Sequence, residues 1–293
     1  MKFNSILLSI FKLLKSRAKE IFMWLWVTAV SCLIVSKGFP PLYPFFMAVT
    51  SIFFIASSVY VYNDLVDREV DKYHKIKKYR PLPSGEVAPW DAKLVVVIFG
   101  ILGLVLSYAI NINCFIFCSV YYLLYVLYSY PPIYLKRIMI LKECIVTSGM
   151  ILTSLVGNYS ITNSFSKSAF FASTLFAIFA FTGQPALNDT LDIEQDRMFG
   201  VKSLATVLSW RRKMQLFILG ILIVMTLTPL TYRSFEFNVI FPIFVVVGGL
   251  IILRYMFPIM NAFQQSAMMN AYKISYIYIF LIQIFSIIGS LQL

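Results

Sequence analysis

The sequence predicts an all-α, polytopic membrane protein of nine transmembrane helices with a cytoplasmic N-terminus. Three observations predict it. The chain of 293 residues is 60% hydrophobic and only 13% charged, with a mean hydropathy of +0.81, whereas a soluble domain carries about 25% charged residues. Nine apolar stretches are long enough to cross, or nearly cross, a hydrocarbon core of about 30 Å. The 25 Lys and Arg residues fall almost entirely on alternate loops.

The stretches run over residues 21–36, 41–62, 92–110, 112–129, 138–157, 165–187, 213–231, 237–257 and 274–292. A basic start leads into the first without a small-residue cleavage pattern, so it reads as a retained span. The third and fourth nearly merge, and Asn111-Ile112-Asn113 divides them as a tight turn. The fifth opens beside Lys142 and Glu143, a polar pair at the interface or near a cavity. Before the ninth, Asn261, Gln264, Gln265 and Asn270 read as a wet loop. Backbone groups in lipid must be satisfied within the segment, so each span is expected to be a helix.

Orientation follows from the basic residues, which concentrate on the cytoplasmic side. The start of the chain and the loops after the second, fourth, sixth and eighth spans hold 22 of them, among them Lys2, Arg17, Lys77, Lys136 and Lys213. The alternate loops hold three, Lys37, Lys167 and Arg233. The net charge of +12 is thus explained by topology, and no nucleic-acid partner is expected. The protein is expected in the cell membrane as a multi-pass chain in contact with membrane lipids. The four cysteines show no CxxC pairing and read as small buried thiols rather than a metal or redox site.

Two nonapeptides carry the chemistry. Asn63-Asp64-Leu65-Val66-Asp67-Arg68-Glu69-Val70-Asp71 ends the second span, and Asn188-Asp189-Thr190-Leu191-Asp192-Ile193-Glu194-Gln195-Asp196 ends the sixth. Both read N-D-x-x-D-x-x-x-D, and together they hold eight of the 13 acidic residues. Positions i, i+4 and i+8 stay near one face of a helix. Asn63, Asp67 and Asp71 therefore form one column of oxygen ligands, with Asp64 beside it, and Asn188, Asp192 and Asp196 form a second. Such carboxylates repel one another unless a cation lies between them. Mg²⁺ takes oxygen ligands and commonly bridges carboxylates to substrate phosphates.

Both motifs follow even-numbered spans and so face the cytoplasm. The repeat would be parallel, with two weakly related halves at about 15–130 and 138–257 plus a ninth helix, in a single domain over 1–293. Next to the first motif, the run from Lys72 to Gly85 offers phosphate-binding cations above a turn held by Pro81, Pro83 and Gly85. Residues 63–80 and 188–202 together hold eight acids and eight bases. Two Mg²⁺ would add four positive charges, which a diphosphate of about −3 nearly cancels.

These motifs, with Arg-Pro-Leu-Pro-Ser-Gly at 80–85, Tyr-Pro-Pro-Ile-Tyr-Leu-Lys-Arg at 130–137 and Asp192 through Leu204, resemble the UbiA superfamily of intramembrane prenyltransferases. The likeness covers about residues 15–290. It implies nine helices around a central cavity, with a first Mg²⁺ on Asn63, Asp67 and Asp71, supported by Asp64. It implies a second Mg²⁺ on Asp192 and Asp196, with Asp189 alongside. Arg80 and Lys136 fall where the family places basic residues around the diphosphate, and Arg17 resembles its N-terminal arginine. Arg17 and Arg80 are carried as substrate-binding candidates, together with Asp64, Asp189 and the other bases around the motifs, Arg68, Lys77 and Lys202. The family's Tyr-x-x-x-Lys pattern is not met, because Pro132 stands four residues before Lys136. Tyr128, Tyr130 and Tyr134 are all nearby, and Tyr130 and Tyr134 are carried as substrate-binding candidates.

The catalytic set implied by the resemblance is Asp67, Asp71, Asp192, Asp196 and Lys136. The expected activity is Mg²⁺-dependent transfer of a prenyl group from an isoprenoid diphosphate to an aromatic or lipid-pathway acceptor. It would proceed by ionisation to an allylic cation, at a site facing the cytoplasm. A cyclase of the same superfamily is the alternative, followed by a polyprenyl-phosphate phosphoribosyltransferase and a transporter. His74, the only histidine, stands where one branch of the family has an HPxK stretch. Lys75 replaces its proline, and the residue is expected to be an exposed loop histidine.

Overall fold

The computed structural model describes residues 2–187, 189–198, 200–261 and 263–291, and among them there is helix but no strand. Twelve α-helices are present among the described residues: α1 (Lys2–Ser16), α2 (Ala18–Ser36), α3 (Leu42–Asp71), α4 (Pro89–Ile110), α5 (Ile112–Ser129), α6 (Leu141–Thr162), α7 (Lys167–Gly183), α8 (Ile193–Met198), α9 (Leu204–Val207), α10 (Trp210–Thr231), α11 (Ile240–Ile259) and α12 (Gln265–Ser290). Eight of them are long and apolar enough to cross a membrane. The sixth predicted span is α7, apolar but only 17 residues long.

Local chemistry sets the helix ends. Asn111 alone separates α4 from α5: it is extended at φ −172°, and its side chain accepts the Cys114 N–H at 2.8 Å. Its amide also donates to the Tyr159 carbonyl at 2.9 Å, tying this turn to α6. Ser166 caps α7 by accepting the Ala169 N–H. The far end of α7 stops at Gly183 because Pro185 cannot donate a helix hydrogen bond.

Two departures from the sequence reading matter. First, the second motif is not one helical column. After Pro185 the chain makes a 3-10 turn over Asp189–Leu191, and helix resumes only at Ile193; Asn188 lies outside the described residues. Second, the polar connection before the ninth span is shorter than expected, since α12 begins at Gln265 and already contains Asn270. The basic start also forms a helix, α1. It buries Leu13 in a small apolar cluster with Val61, Leu82, Val87, Ala92 and Val95, beneath the turn of residues 81–85.

The spans pack through small residues, as expected where lipid gives no hydrophobic drive between helices. Against α6, Thr28 donates to the Thr153 carbonyl at 3.3 Å and Ser31 to the Ser154 carbonyl at 2.6 Å. Between them sits Gly157, where an added Cβ would collide with the Thr28 carbonyl oxygen. Ser51 and Ser58 of α3 likewise donate to the Gly103 and Val96 carbonyls of α4. A large side chain at position 157 would force α2 off α6. Gly157→Leu should therefore destabilise by about 1–3 kcal/mol, read as a lowered thermal unfolding midpoint of the purified protein; an unchanged midpoint would contradict this packing.

Candidate active site

The first acidic motif occupies the last turns of α3. Asp64 is only 2% exposed and is gripped by two arginines. The Arg17 guanidinium binds both of its oxygens, with Nε 3.0 Å from Oδ2, and Arg80 Nη1 donates to Oδ1 at 3.1 Å. Arg80 reaches Asp71 Oδ2 as well, at 3.2 Å. The paired fork geometry suits arginine, which presents donors in a plane. Asp67 faces the other way, towards the turn between α5 and α6. There Lys136 Nζ lies 2.6 Å from its Oδ1, and the Tyr134 hydroxyl donates to the same oxygen at 3.3 Å. Asn63 links the column, donating to Asp67 at 3.1 Å and to Ser129 at 2.8 Å.

The second motif is neutralised in the same manner by residues from elsewhere. Lys77, in a 3-10 turn after α3, lies 2.8 Å from Asp192 Oδ2, and His74 Nε2 lies 3.1 Å from Oδ1. Lys142, in the first turn of α6, bridges Asp189 at 2.9 Å and Asp196 at 3.4 Å. Behind the motif the buried Lys213 ammonium donates to Thr190 at 3.2 Å and to the Ala205 carbonyl at 3.3 Å. Glu143, fully buried, accepts the Leu204 N–H at 2.9 Å and so fixes the start of α9.

The two motifs line one cavity of about 610 Å³ bounded by α2, α3, α5, α6, α7 and α12. Its mouth carries Asn63, Asp67, Asp71, Asp189, Asp192 and Asp196 with Arg17, Lys77, Arg80, Lys136 and Lys142 interleaved. Its depth is apolar and aromatic, with Met23, Trp24, Tyr125, Tyr128, Met150 and Phe179. Trp24 donates to the Tyr60 hydroxyl at 2.9 Å and stands edge-on to Tyr125.

Outside the spans, burial and neighbouring charges pull the ionisable groups of the site in opposite directions. Burial opposes the charge on Asp192, but Lys77 and His74 outweigh it and hold the carboxyl below its usual range. Asp196 moves the other way: burial, with Asp189 and Asp192 close by, pushes it up despite Lys142. Burial lowers the Lys136 ammonium against the pull of Asp67. The Tyr134 hydroxyl is pushed up to about 12 by burial and by the Asp67 carboxylate.

Four substrate-binding candidates stay away from the cavity lining: Asp64, held between its two arginines, and Arg68, Tyr130 and Lys202. Arg68 is one residue, hence about 100° of helix, from Asp67, and pairs with the neighbouring Glu69 at 3.2 Å on the outer face of α3. Tyr130 is 43% exposed at the end of α5. Lys202 is exposed, and it is its backbone N–H that is engaged, by the Arg137 carbonyl at 3.2 Å. Of the three tyrosines left open, Tyr134 touches Asp67 and Tyr128 lines the cavity. Tyr134 reaches Asp67 from a left-handed backbone, φ 48°. His74 is not the exposed loop residue expected; it is 9% exposed. Lys142 and the aromatic floor had no motif to mark them.

The model of the UbiA prenyltransferase family matches residues 24–281. The chain is 32% identical to the digeranylgeranylglyceryl phosphate synthase of Sulfolobus acidocaldarius over 214 residues, 69% of this chain and 70% of that one. It is 33% identical to the decaprenyl-phosphate phosphoribosyltransferase of Mycolicibacterium smegmatis, but over only 102 residues, 35% of this chain and 31% of that one. The fold is similar to that of a UbiA homologue from Archaeoglobus fulgidus bound to DMAPP and Mg²⁺, with a TM-score of 0.70 and 20% identity over 95% of this chain and 99% of that one.

Removing Asp64 would strand the buried Arg17 guanidinium. Asp64→Ala should cost about 3–5 kcal/mol, seen as a large fall in the thermal unfolding midpoint, while Arg68→Ala leaves the midpoint in place. Equal midpoints for the two variants would contradict these assignments.

Proposed function

The chain belongs to the UbiA prenyltransferase family, and we propose that it transfers a prenyl group from an isoprenoid diphosphate to an aromatic or lipid-pathway acceptor in the cavity between its two aspartate motifs. One observation carries the reading: carboxylates from both motifs and seven Lys and Arg side chains share a polar mouth above an apolar, aromatic depth. A diphosphate with an isoprenoid tail has the same two-part chemistry.

The donor set fits Mg²⁺. Among the described residues no group of three or more His, Cys, Asp or Glu side chains is poised as a ready-made cage. Mg²⁺ is usually held by one or two carboxylates together with substrate phosphates rather than by a cage made of protein alone. Asn63, Asp67 and Asp71 on one wall and Asp192 and Asp196 on the other would hold it. When bound, it supplies positive charge against the charge developing on the departing diphosphate.

The chain's own side chains do the rest. Lys77, Arg80 and Lys136, each now paired with an aspartate, supply cations for the diphosphate oxygens and favour its departure electrostatically. The apolar depth keeps water from the allylic cation. Trp24, Tyr125, Tyr128 and Phe179 present aromatic surface there, and an aromatic face is worth up to about 2 kcal/mol to a desolvated cation. The mouth opens among the strongly basic loops, which supports a cytoplasm-facing site with the N-terminus on the same side.

A second reading keeps the diphosphate leaving group and exchanges the transferred group for phosphoribosyl. It draws on the match to a decaprenyl-phosphate phosphoribosyltransferase and on the contact of His74 and Lys77 with Asp192. The intact second motif favours prenyl transfer.

The test is product analysis by mass spectrometry. Purified protein in lipid nanodiscs receives labelled prenyl diphosphate or phosphoribosyl diphosphate, Mg²⁺ and a panel of acceptors. Prenylated acceptor should form and should require Mg²⁺. Asp67→Ala and Asp192→Ala should each lower kcat/KM by about 100-fold or more. Cyclic hydrocarbon formed without acceptor would identify a cyclase, and diphosphate release indifferent to both substitutions would reject the site.

A further inference from the structure

His74 makes three hydrogen bonds that leave its ring a single arrangement. Its Nδ1 faces the backbone N–H groups of Ile76 and Lys77, each at 3.0 Å. A ring nitrogen that accepts N–H donors carries a lone pair there and no proton. The ring proton therefore sits on Nε2, which points at Asp192 Oδ1 at 3.1 Å. On the other oxygen of the same carboxylate stands Lys77 Nζ, at 2.8 Å. Lys75 extends the link at the surface, 3.5 Å from Glu194. One short segment following the first motif thus holds the second.

We propose that His74 is a positioning residue: the turn it caps fixes its Nε2–H tautomer, and that N–H holds Asp192 towards the cavity. The proposal rests on the transferase reading above and adds a division of labour between its two partners. Lys77 carries a full charge on a flexible stem and is drawn to phosphate oxygens as readily as to a carboxylate. His74 is tethered by its own backbone and offers one neutral donor. When Lys77 turns to a diphosphate, Asp192 keeps its orientation through Oδ1. Such outer partners orient the side chains that meet a metal or substrate, and losing one costs about 10–100-fold in affinity or activity.

The chain has one histidine, so a single ring reports the result. Full-length protein labelled with ¹⁵N-histidine, purified without a polyhistidine tag and placed in nanodiscs, should show a pyridine-like Nδ1 and a protonated, slowly exchanging Nε2. An Nδ1–H tautomer, or a ring averaged by fast exchange, overturns the proposal. Two substitutions then separate the two ends of the ring. His74→Gln keeps a donor near the Nε2 position, whereas His74→Asn keeps an acceptor near Nδ1 and loses contact with Asp192. His74→Asn should raise the KM for prenyl diphosphate about 10-fold, with His74→Gln near wild type. The reverse order would mean that the turn alone matters, and it too overturns the proposal. Should wild-type protein turn over no prenyl diphosphate, the transferase reading fails while the tautomer still decides the positioning claim.

Discussion

Mutual repulsion among the five aspartates that line one cavity, with Asp64 buried behind them, is the constraint on which the rest of the site depends. Unit charges 4 Å apart interact by about 4 kcal/mol at the effective dielectric of a protein surface, so the motifs could not face each other uncompensated. Compensation comes from other elements. Arg17 arrives from the start of α2, Lys136 from the turn after α5, Lys142 from α6, and Lys77 and Arg80 from the segment after α3. Each pairing fastens one loop to a helix end. The loops over the cavity are thereby positioned by electrostatics, while the spans beneath are positioned by close contacts such as Gly157 against Thr28.

This division explains the two-part cavity. Polar groups gather where the spans end and water is near, since unpaired charge deeper in the bundle would be costly. Below that level the walls are Trp24, Tyr125, Met150 and Phe179, an apolar and aromatic surface unfavourable to water. Asp64 and Asp67 lie three residues apart yet serve different ends. The first is sealed between two arginines, and the second meets the cavity through a lysine and a tyrosine. The turn at 81–85 joins both levels, because Leu82 packs with Leu13 of α1 while Arg80 reaches the carboxylates.

The spans and both motifs were readable from hydropathy and spacing, because twenty apolar residues and an i, i+4, i+8 column are local signals. What depended on tertiary placement was not. The second motif repeats the N-D-x-x-D-x-x-x-D spacing of the first, yet Pro185 ends its helix early and a 3-10 turn carries Asp189. Lys142 and Lys202 look alike as loop bases, but only Lys142 points inward, which the packing of α6 decides. Arg68 could have been set aside from the sequence, since a neighbour of Asp67 on a helix cannot share its face. His74 could not have been placed, because its burial needs a partner 118 positions away. The helix at the start was visible in principle: in residues 2–16, Lys12 and Lys15 interrupt an apolar pattern in helical register, which charge counting alone passed over.

Central to the account is a site whose carboxylates and cations are balanced for metal and diphosphate together, and for neither alone. Calorimetric titration of inorganic diphosphate into the purified protein, with Mg²⁺ and then with EDTA, tests this most directly. The account predicts that Mg²⁺ tightens diphosphate binding by well over tenfold, a coupling of more than about 1.4 kcal/mol, and that Asp67→Ala and Asp192→Ala each abolish that gain. Binding of equal strength in EDTA would contradict it.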